Sequence, residues 1–245
     1  RMANTIGKIY PFVGSSLNRQ KTTIPIVFQN RGMLANGFVQ LAPKKSQFNT
    51  TPPQQFDSQD WLNNLAVHEL RHVAQYDRFT NGKSLFLAEE IYFAYMGISM
   101  PTWFFEGDAV STETALTNSG RGRQPSWIMP FRTSLLNDKK FSYSKSYFGS
   151  QKDQTAGYYQ LGYLITSKLR NDFGKNIVDS LIHQISTHPA RLYPFSQTLK
   201  KITGSTTKDY YQSTIQQLET KWKAQDEKNK SENYTSLNQH SNYST

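Results

Sequence analysis

Two short runs near the start of the chain, Ile24-Pro25-Ile26-Val27-Phe28 and Gly37-Phe38-Val39-Gln40-Leu41-Ala42-Pro43, carry the β-branched and aromatic residues of strands and are joined around Asn30 to Asn36. Residues 1 to 23 are polar and mixed and give no firm pattern. Thr51-Pro52-Pro53 then breaks the chain. From residue 58 onward apolar positions recur at helical spacing almost throughout and predict helices near 58–78, 84–98, 101–117, 155–173, 175–187, 194–203 and 206–224. Asp57 or Ser58 is suited to cap the first, Gly174 and Gly204 are C-terminal stops, and Thr206 followed by Asp209 is a capping-box variant. Residues 121 to 154, rich in glycine, proline and aromatic side chains, read as irregular with one short helix around Pro130 to Leu136. The pattern predicts an α+β fold over residues 1–224, a small N-terminal sheet followed by a mostly helical part. Residues 225–245 lack a core pattern and read as a flexible polar tail or linker.

The helix predicted over 58–78 holds the most informative residues, His68-Glu69-Leu70-Arg71-His72. Histidines four apart lie one helical turn apart on nearly the same face, so both imidazoles can close on one metal ion. Glu69 is placed to act on a water bound to that metal, the H-E-x-x-H arrangement of zinc metalloproteases. Trp61, Leu62, Leu65 and Ala66 make an apolar stripe leading into the motif, and Val67, Leu70 and Val73 flank it. Histidines and a glutamate on so apolar a helix need a compensating partner, which a metal supplies. The alternative is a solvated histidine pair. A catalytic zinc keeps three protein ligands and one open position. Glu106, 34 residues after His72 on the helix that Pro101 opens, is the best candidate for the third, because bulky aromatics surround it. Asp108 and Glu113 follow on the same helix. Each is a candidate to hold a zinc-bound histidine through its second ring nitrogen, or is a plain helix charge.

HELRH followed by WFFEGDA resembles the gluzincins, zincins whose third ligand is a glutamate on a following helix. The longer run of HELRHVAQYDRF, PTWFFEGDAVSTETALTNSGRGR and YYQLGY is similar to bacterial zincin domains that precede TolB-like (WD40-like) β-propellers, over roughly residues 24 to 204. The resemblance implies a zincin-like fold and a Zn2+ ion held by His68, His72 and Glu106, with Glu69 as general base in peptide-bond hydrolysis. It also implies a peptide or protein substrate, a C-terminal β-propeller in the full-length protein, and a periplasmic or cell-envelope location. In zincins the edge strand of a sheet along the active helix pairs with extended substrate. Gluzincin aminopeptidases further carry a Y-x-x-G segment whose tyrosine donates to the oxyanion. Tyr159-Gln160-Leu161-Gly162 matches it, with Tyr158 as fallback. The alternative is an amphipathic helix that packs its tyrosines in the core. A degenerate zincin that binds protein partners beside a propeller is the alternative function; the intact ligands and Glu69 argue against it.

The 245 residues suffice for one domain with a core. A formal net charge of +10 would suit an anionic partner, but the basic residues are scattered in short clusters and no nucleic-acid motif accompanies them. The charge therefore reads as a solvated surface with weak affinity for an anionic envelope, and no nucleic acid is expected as partner. Absence of cysteine excludes a disulfide framework and a thiolate metal site. No stretch is long enough to span a membrane, and Leu85 to Met100, the most apolar, contains Glu89 and Glu90 and reads as a buried helix. Arg1 opens the chain without a signal pattern, which weighs little because a trimmed chain looks the same. Arg121 or Arg123 is placed to hold a substrate carboxylate, or belongs to a solvated loop. His183 and His188 have no partner at ligand spacing.

Overall fold

The computed structural model describes residues 2–18, 23–30, 33, 35–41, 44–52, 61–81, 89–189 and 191–229. The fold is α+β. Three strands, β1 (Ile26–Gln29), β2 (Gly37–Leu41) and β3 (Lys44–Asn49), form one sheet in the order β1-β3-β2. β1 runs parallel to β3, with Ile26 opposite Ser46. β2 runs antiparallel to it, with Gly37 opposite Phe48. Both predicted strands exist, but they are not neighbours. The unexpected β3 lies between them and leaves β2 on an edge of the sheet.

Ten α-helices pack around and beyond the sheet among the described residues. The first, α1 (Met2–Val13), occupies the stretch that gave no pattern. Its Ile6 and Val13 are buried with Phe48 of β3 against Val67, Leu70 and Val73 of α2 (Trp61–Phe79). The opposite side of α2, through Ala74, Tyr76 and Phe79, joins a larger apolar cluster with Trp103, Phe104, Leu161 and Leu181. One helix is thus the shared wall of two cores, and its middle carries the two histidines. The proposed caps Asp57 and Ser58 lie outside the described residues.

α3 (Glu89–Ser99) departs from expectation. Tyr92, Tyr95 and Met96 pack inward, but Ile91 and Ile98 are 69% and 84% exposed, so the helix is not buried. Its apolar residues run all round the helix, which reads as burial in a sequence, yet neighbours cover one side only. Residues 84–88 of that prediction lie outside the described residues. The stretch from 121 to 154 is more regular than expected: a 3₁₀ turn (Arg121–Arg123) leads into α5 (Pro125–Leu136) and α6 (Tyr143–Phe148).

The remaining helices agree with the pattern: α4 (Thr102–Leu116), α7 (Tyr158–Phe173), α8 (Ile177–Ser186), α9 (Pro194–Thr203) and α10 (Thr207–Lys228), the last ending four residues past its expected stop. Gly174 and Gly204 end α7 and α9 with positive φ, and Thr206 and Asp209 close a capping box on α10. α4 and α7 cross backbone to backbone. A methyl on Gly162 would sit 1.9 Å from the Trp103 carbonyl oxygen, and one on Gly107 2.1 Å from the Gly162 carbonyl carbon. Only glycine fits at either position. The contact sets Tyr159, one turn before Gly162, beside Glu106, the neighbour of Gly107. No described helix is long and apolar enough to cross a membrane.

Candidate metal centre

His68 and His72 project from successive turns of α2 and meet Glu106 of α4. Glu106 Oε2 lies 3.1 Å from His68 Nε2 and 3.3 Å from His72 Nε2, and the two nitrogens are 3.2 Å apart. Corners of a tetrahedron about 2.0 Å from its centre are about 3.3 Å apart, so this spacing fits three ligands of one small cation. Two imidazole nitrogens and one carboxylate oxygen also suit such an ion chemically. Among the described residues this is the group that can hold a metal ion.

Each histidine is held through its other ring nitrogen. His72 Nδ1 is 2.9 Å from Gln75 Oε1, while Gln75 Nε2 donates to the Phe105 carbonyl at 3.1 Å and to Asp108 Oδ2 at 2.8 Å. Both of those partners only accept, so the Gln75 amide has one orientation. Its oxygen must accept from His72 Nδ1–H, which leaves the Nε2 lone pair facing the centre. Asp108 is itself fixed by Arg71 through two hydrogen bonds of 2.7 and 3.2 Å, and by Arg170 of α7. Arg71 is fully buried and also donates to the Val13 carbonyl of α1.

His68 Nδ1 lies 3.0 Å from Glu113 Oε2. Arg121 donates to both oxygens of Glu113, and its Nη2 lies 2.7 Å from the same Nδ1. Two tautomers of His68 therefore have partners. Donation from Nδ1–H to Glu113 frees Nε2 for a metal, whereas donation from Arg121 puts the proton on Nε2, which a metal excludes. The open question between the two acids is thereby answered: Glu113 contacts His68, and Asp108 acts on His72 through Gln75.

Charge completes the arrangement. Burial alone would lower the pKa of His72, but the hydrogen bond and charge of Glu106, with the charge of Glu69, raise it to about 9 in the metal-free protein. Glu106 is pushed upward by burial, yet hydrogen bonds to His68 and His72 hold it well below the usual carboxylate range. Against the same upward effect of burial, Glu113 is brought to about 2 by His68 and Arg121, and Asp108 to about 2 by Arg71 and Arg170.

The centre opens into a cavity of about 550 Å³ between β2 and helices α2, α4 and α7. Glu69 lines it, buried beneath the edge strand; a methyl on Gly37 would lie 3.2 Å from Glu69 Cγ. Tyr159 lines it too, its ring centroid 6.2 Å from that of His68, with the Arg121 guanidinium 5.0 Å over its face. Tyr158 stacks on Tyr159 at 4.6 Å but does not line the cavity. Arg121 borders the cavity and is already paired with Glu113; Arg123 turns away to the carbonyls of Thr114 and Thr117. His188 is exposed and bonded to the Gln184 carbonyl, and neither it nor His183 joins the metal group. Sequence reasoning missed Gln75, Arg71 and Arg170. Gln75 had a local signal, lying three residues after His72 on the same helix face.

Comparison with protein-family models, with curated proteins and with solved structures returned no match. The functional reading therefore rests on the residues and on their geometry.

Proposed function

We propose that this chain is a zinc-dependent peptidase of the gluzincin type, with a zincin-like fold. The observation that carries the proposal is the convergence of His68, His72 and Glu106 at one point of a cavity that also holds Glu69. Zinc held by these three residues would lower the pKa of water toward neutrality and polarise a scissile carbonyl. Glu69 takes the proton from the attacking water and delivers it to the leaving amine. Burial raises the pKa of Tyr159, and the nearby Glu106 adds to the rise, so its hydroxyl stays protonated at neutral pH and is able to donate to an oxyanion. β2 borders the cavity through Gly37, Phe38 and Val39, and as an edge strand among the described residues it suits pairing with an extended peptide. A β-propeller neighbour and a periplasmic or envelope location belong to the same proposal on resemblance alone.

The test is elemental analysis of wild type and Glu106→Ala purified without added metal, followed by a peptide library cleaved by wild type and by Glu69→Gln. About one zinc per chain, lost in Glu106→Ala, with cleavage that disappears in a zinc-loaded Glu69→Gln, is the expected result. Wild type that takes up no zinc even when zinc is supplied would sink the metal centre. Zinc without cleavage of any peptide would favour the degenerate, partner-binding reading.

A further inference from the structure

The wall of the metal-site cavity holds a bond with chemistry of its own, the peptide link between Asn36 and Gly37. Both residues line the cavity, where the chain enters β2. Asn36 is exposed to solvent, and its side chain folds back on the backbone: Gly37 N–H donates to Asn36 Oδ1 at 2.9 Å. Cγ, bonded to that oxygen, therefore lies beside the backbone nitrogen, in the arrangement from which the two can react. The Asn36 carbonyl accepts from Asn49 N–H at 2.8 Å, which holds the residue to the sheet while its amide stays in water. Glycine follows, and with no side chain it shields neither partner. The fold also keeps it glycine, since a methyl there would press at 3.2 Å on Leu65 and Glu69.

We propose that Asn36 is a site of spontaneous deamidation and that its conversion ages the cleft. Once Gly37 N–H gives its proton to hydroxide, the nitrogen attacks Asn36 Cγ. The N–Cγ bond forms, the Cγ–Nδ2 bond breaks, and the side-chain nitrogen takes up a proton and leaves as ammonia. Water then opens the cyclic imide at either carbonyl. Breaking the new N–Cγ bond gives aspartate, and breaking the original peptide bond gives isoaspartate. Water is the only co-reactant.

Either product adds a carboxylate to a wall that already carries Glu69, Glu106 and Glu113. Isoaspartate also routes the main chain through Cβ, which lengthens it at the entry to β2 and draws Gly37 and Phe38 out of step with Phe48 and Gln47. The edge strand is disturbed, while His68, His72 and Glu106 stay on their helices. Conversion thus closes the cleft to an extended peptide and leaves the metal in place. That consequence rests on the peptidase reading; the modification itself does not.

The test incubates the full zinc-loaded chain, and the same chain unfolded in urea, at mildly alkaline pH over days. Site-resolved peptide mapping by mass spectrometry reads Asn36 apart from Asn81-Gly82, the other Asn-Gly pair of the chain. Aspartate and isoaspartate should accumulate at Asn36 of the folded chain, faster than at mildly acidic pH. The conversion should be lost in Asn36→Gln, whose longer side chain would have to close a larger ring. Peptide cleavage by wild type should decay in step with conversion while zinc content holds, and Asn36→Gln should keep through the incubation whatever rate it starts with. Asn36 intact in the folded chain while the unfolded chain converts would overturn the proposal, because the fold would then protect the bond. Conversion with undiminished cleavage would overturn its effect on the cleft. Fresh protein that cleaves no peptide would count against the peptidase reading alone, since the mapping still decides the modification.

Discussion

Replacing Gln75 with methionine tests how the protein prepares His72 for a metal. Methionine keeps the length and burial of the side chain but removes one acceptor and two donors. The His72 Nδ1–H, bonded at 2.9 Å, would lose its partner, while the Phe105 carbonyl keeps its bond within α4 and Asp108 keeps Arg71 and Arg170. One orphaned buried N–H costs about 1–3 kcal/mol, so the metal-free protein should lose about 2 kcal/mol and roughly 4–8 °C in Tm. A second effect falls on the metal alone. With nothing to accept from Nδ1–H, His72 is free to place its proton on Nε2, where it blocks the ligand position. Loss of such a support costs about 10- to 100-fold in metal affinity. Thermal denaturation in EDTA measures the first effect, and competition with a chromophoric zinc chelator measures the second. A variant that loses stability yet binds zinc within about two-fold of wild type, inside a factor worth about 0.4 kcal/mol, would show that Gln75 packs the core without setting the tautomer.

Three further outcomes follow from the same geometry. In metal-free protein the His72 pKa is raised from 6.5 to about 9, so its contribution to stability is fully present below pH 6.5 and lost as pH rises through 9. Tm in EDTA should fall across that interval while apparent zinc affinity climbs, because metal and proton compete for the same nitrogen; a flat Tm there would remove the His72–Glu106 pair from the account. Gly162→Ala puts a methyl 1.9 Å from the Trp103 carbonyl oxygen and forces two helix backbones apart, so it should cost more than the about 1–3 kcal/mol of ordinary overpacking. Near wild-type Tm would contradict that contact. Tyr159→Phe should lower peptide turnover by about 10²–10³ while zinc content and Tm hold, and unchanged turnover would return the ring to a packing role.

Much of the helical part was legible because its signals are local. The stops at Gly174 and Gly204, the Thr206–Asp209 box and the four-residue spacing of His68 and His72 each need only a few neighbouring residues. Glu106 was legible through its aromatic surroundings, the mark of a carboxylate that packing takes out of water. β3 escaped because Lys44-Lys45-Ser46-Gln47-Phe48-Asn49 has one strongly apolar side chain; Ser46 and Phe48 alternate inward, but a buried serine gives no hydrophobic signal. α1 escaped because Pro11 interrupts the spacing of Ile6, Ile9 and Val13. α3 misled for the opposite reason: side chains apolar all round it look buried whether or not a neighbour covers them. Of the support beneath the histidines, Asp108 and Glu113 were candidates from the sequence and Gln75 had a local signal, but the two arginines had none. Arg71 beside a histidine motif gives no hint of a partner 37 residues away in Asp108, or of Arg170 beyond it.

Asp108 ties Arg71 of α2 and Arg170 of α7 into one buried knot, and this bears on the birth of the protein at the ribosome. A nascent chain that has emerged as far as residue 120 already owns His68, His72 and Glu106, but not Arg121, Tyr159, Gly162 or Arg170. Its histidines hang from a helix whose counterweight is still unsynthesised. The pocket becomes rigid only after α7 emerges, so its completion waits until the chain has been made as far as Arg170.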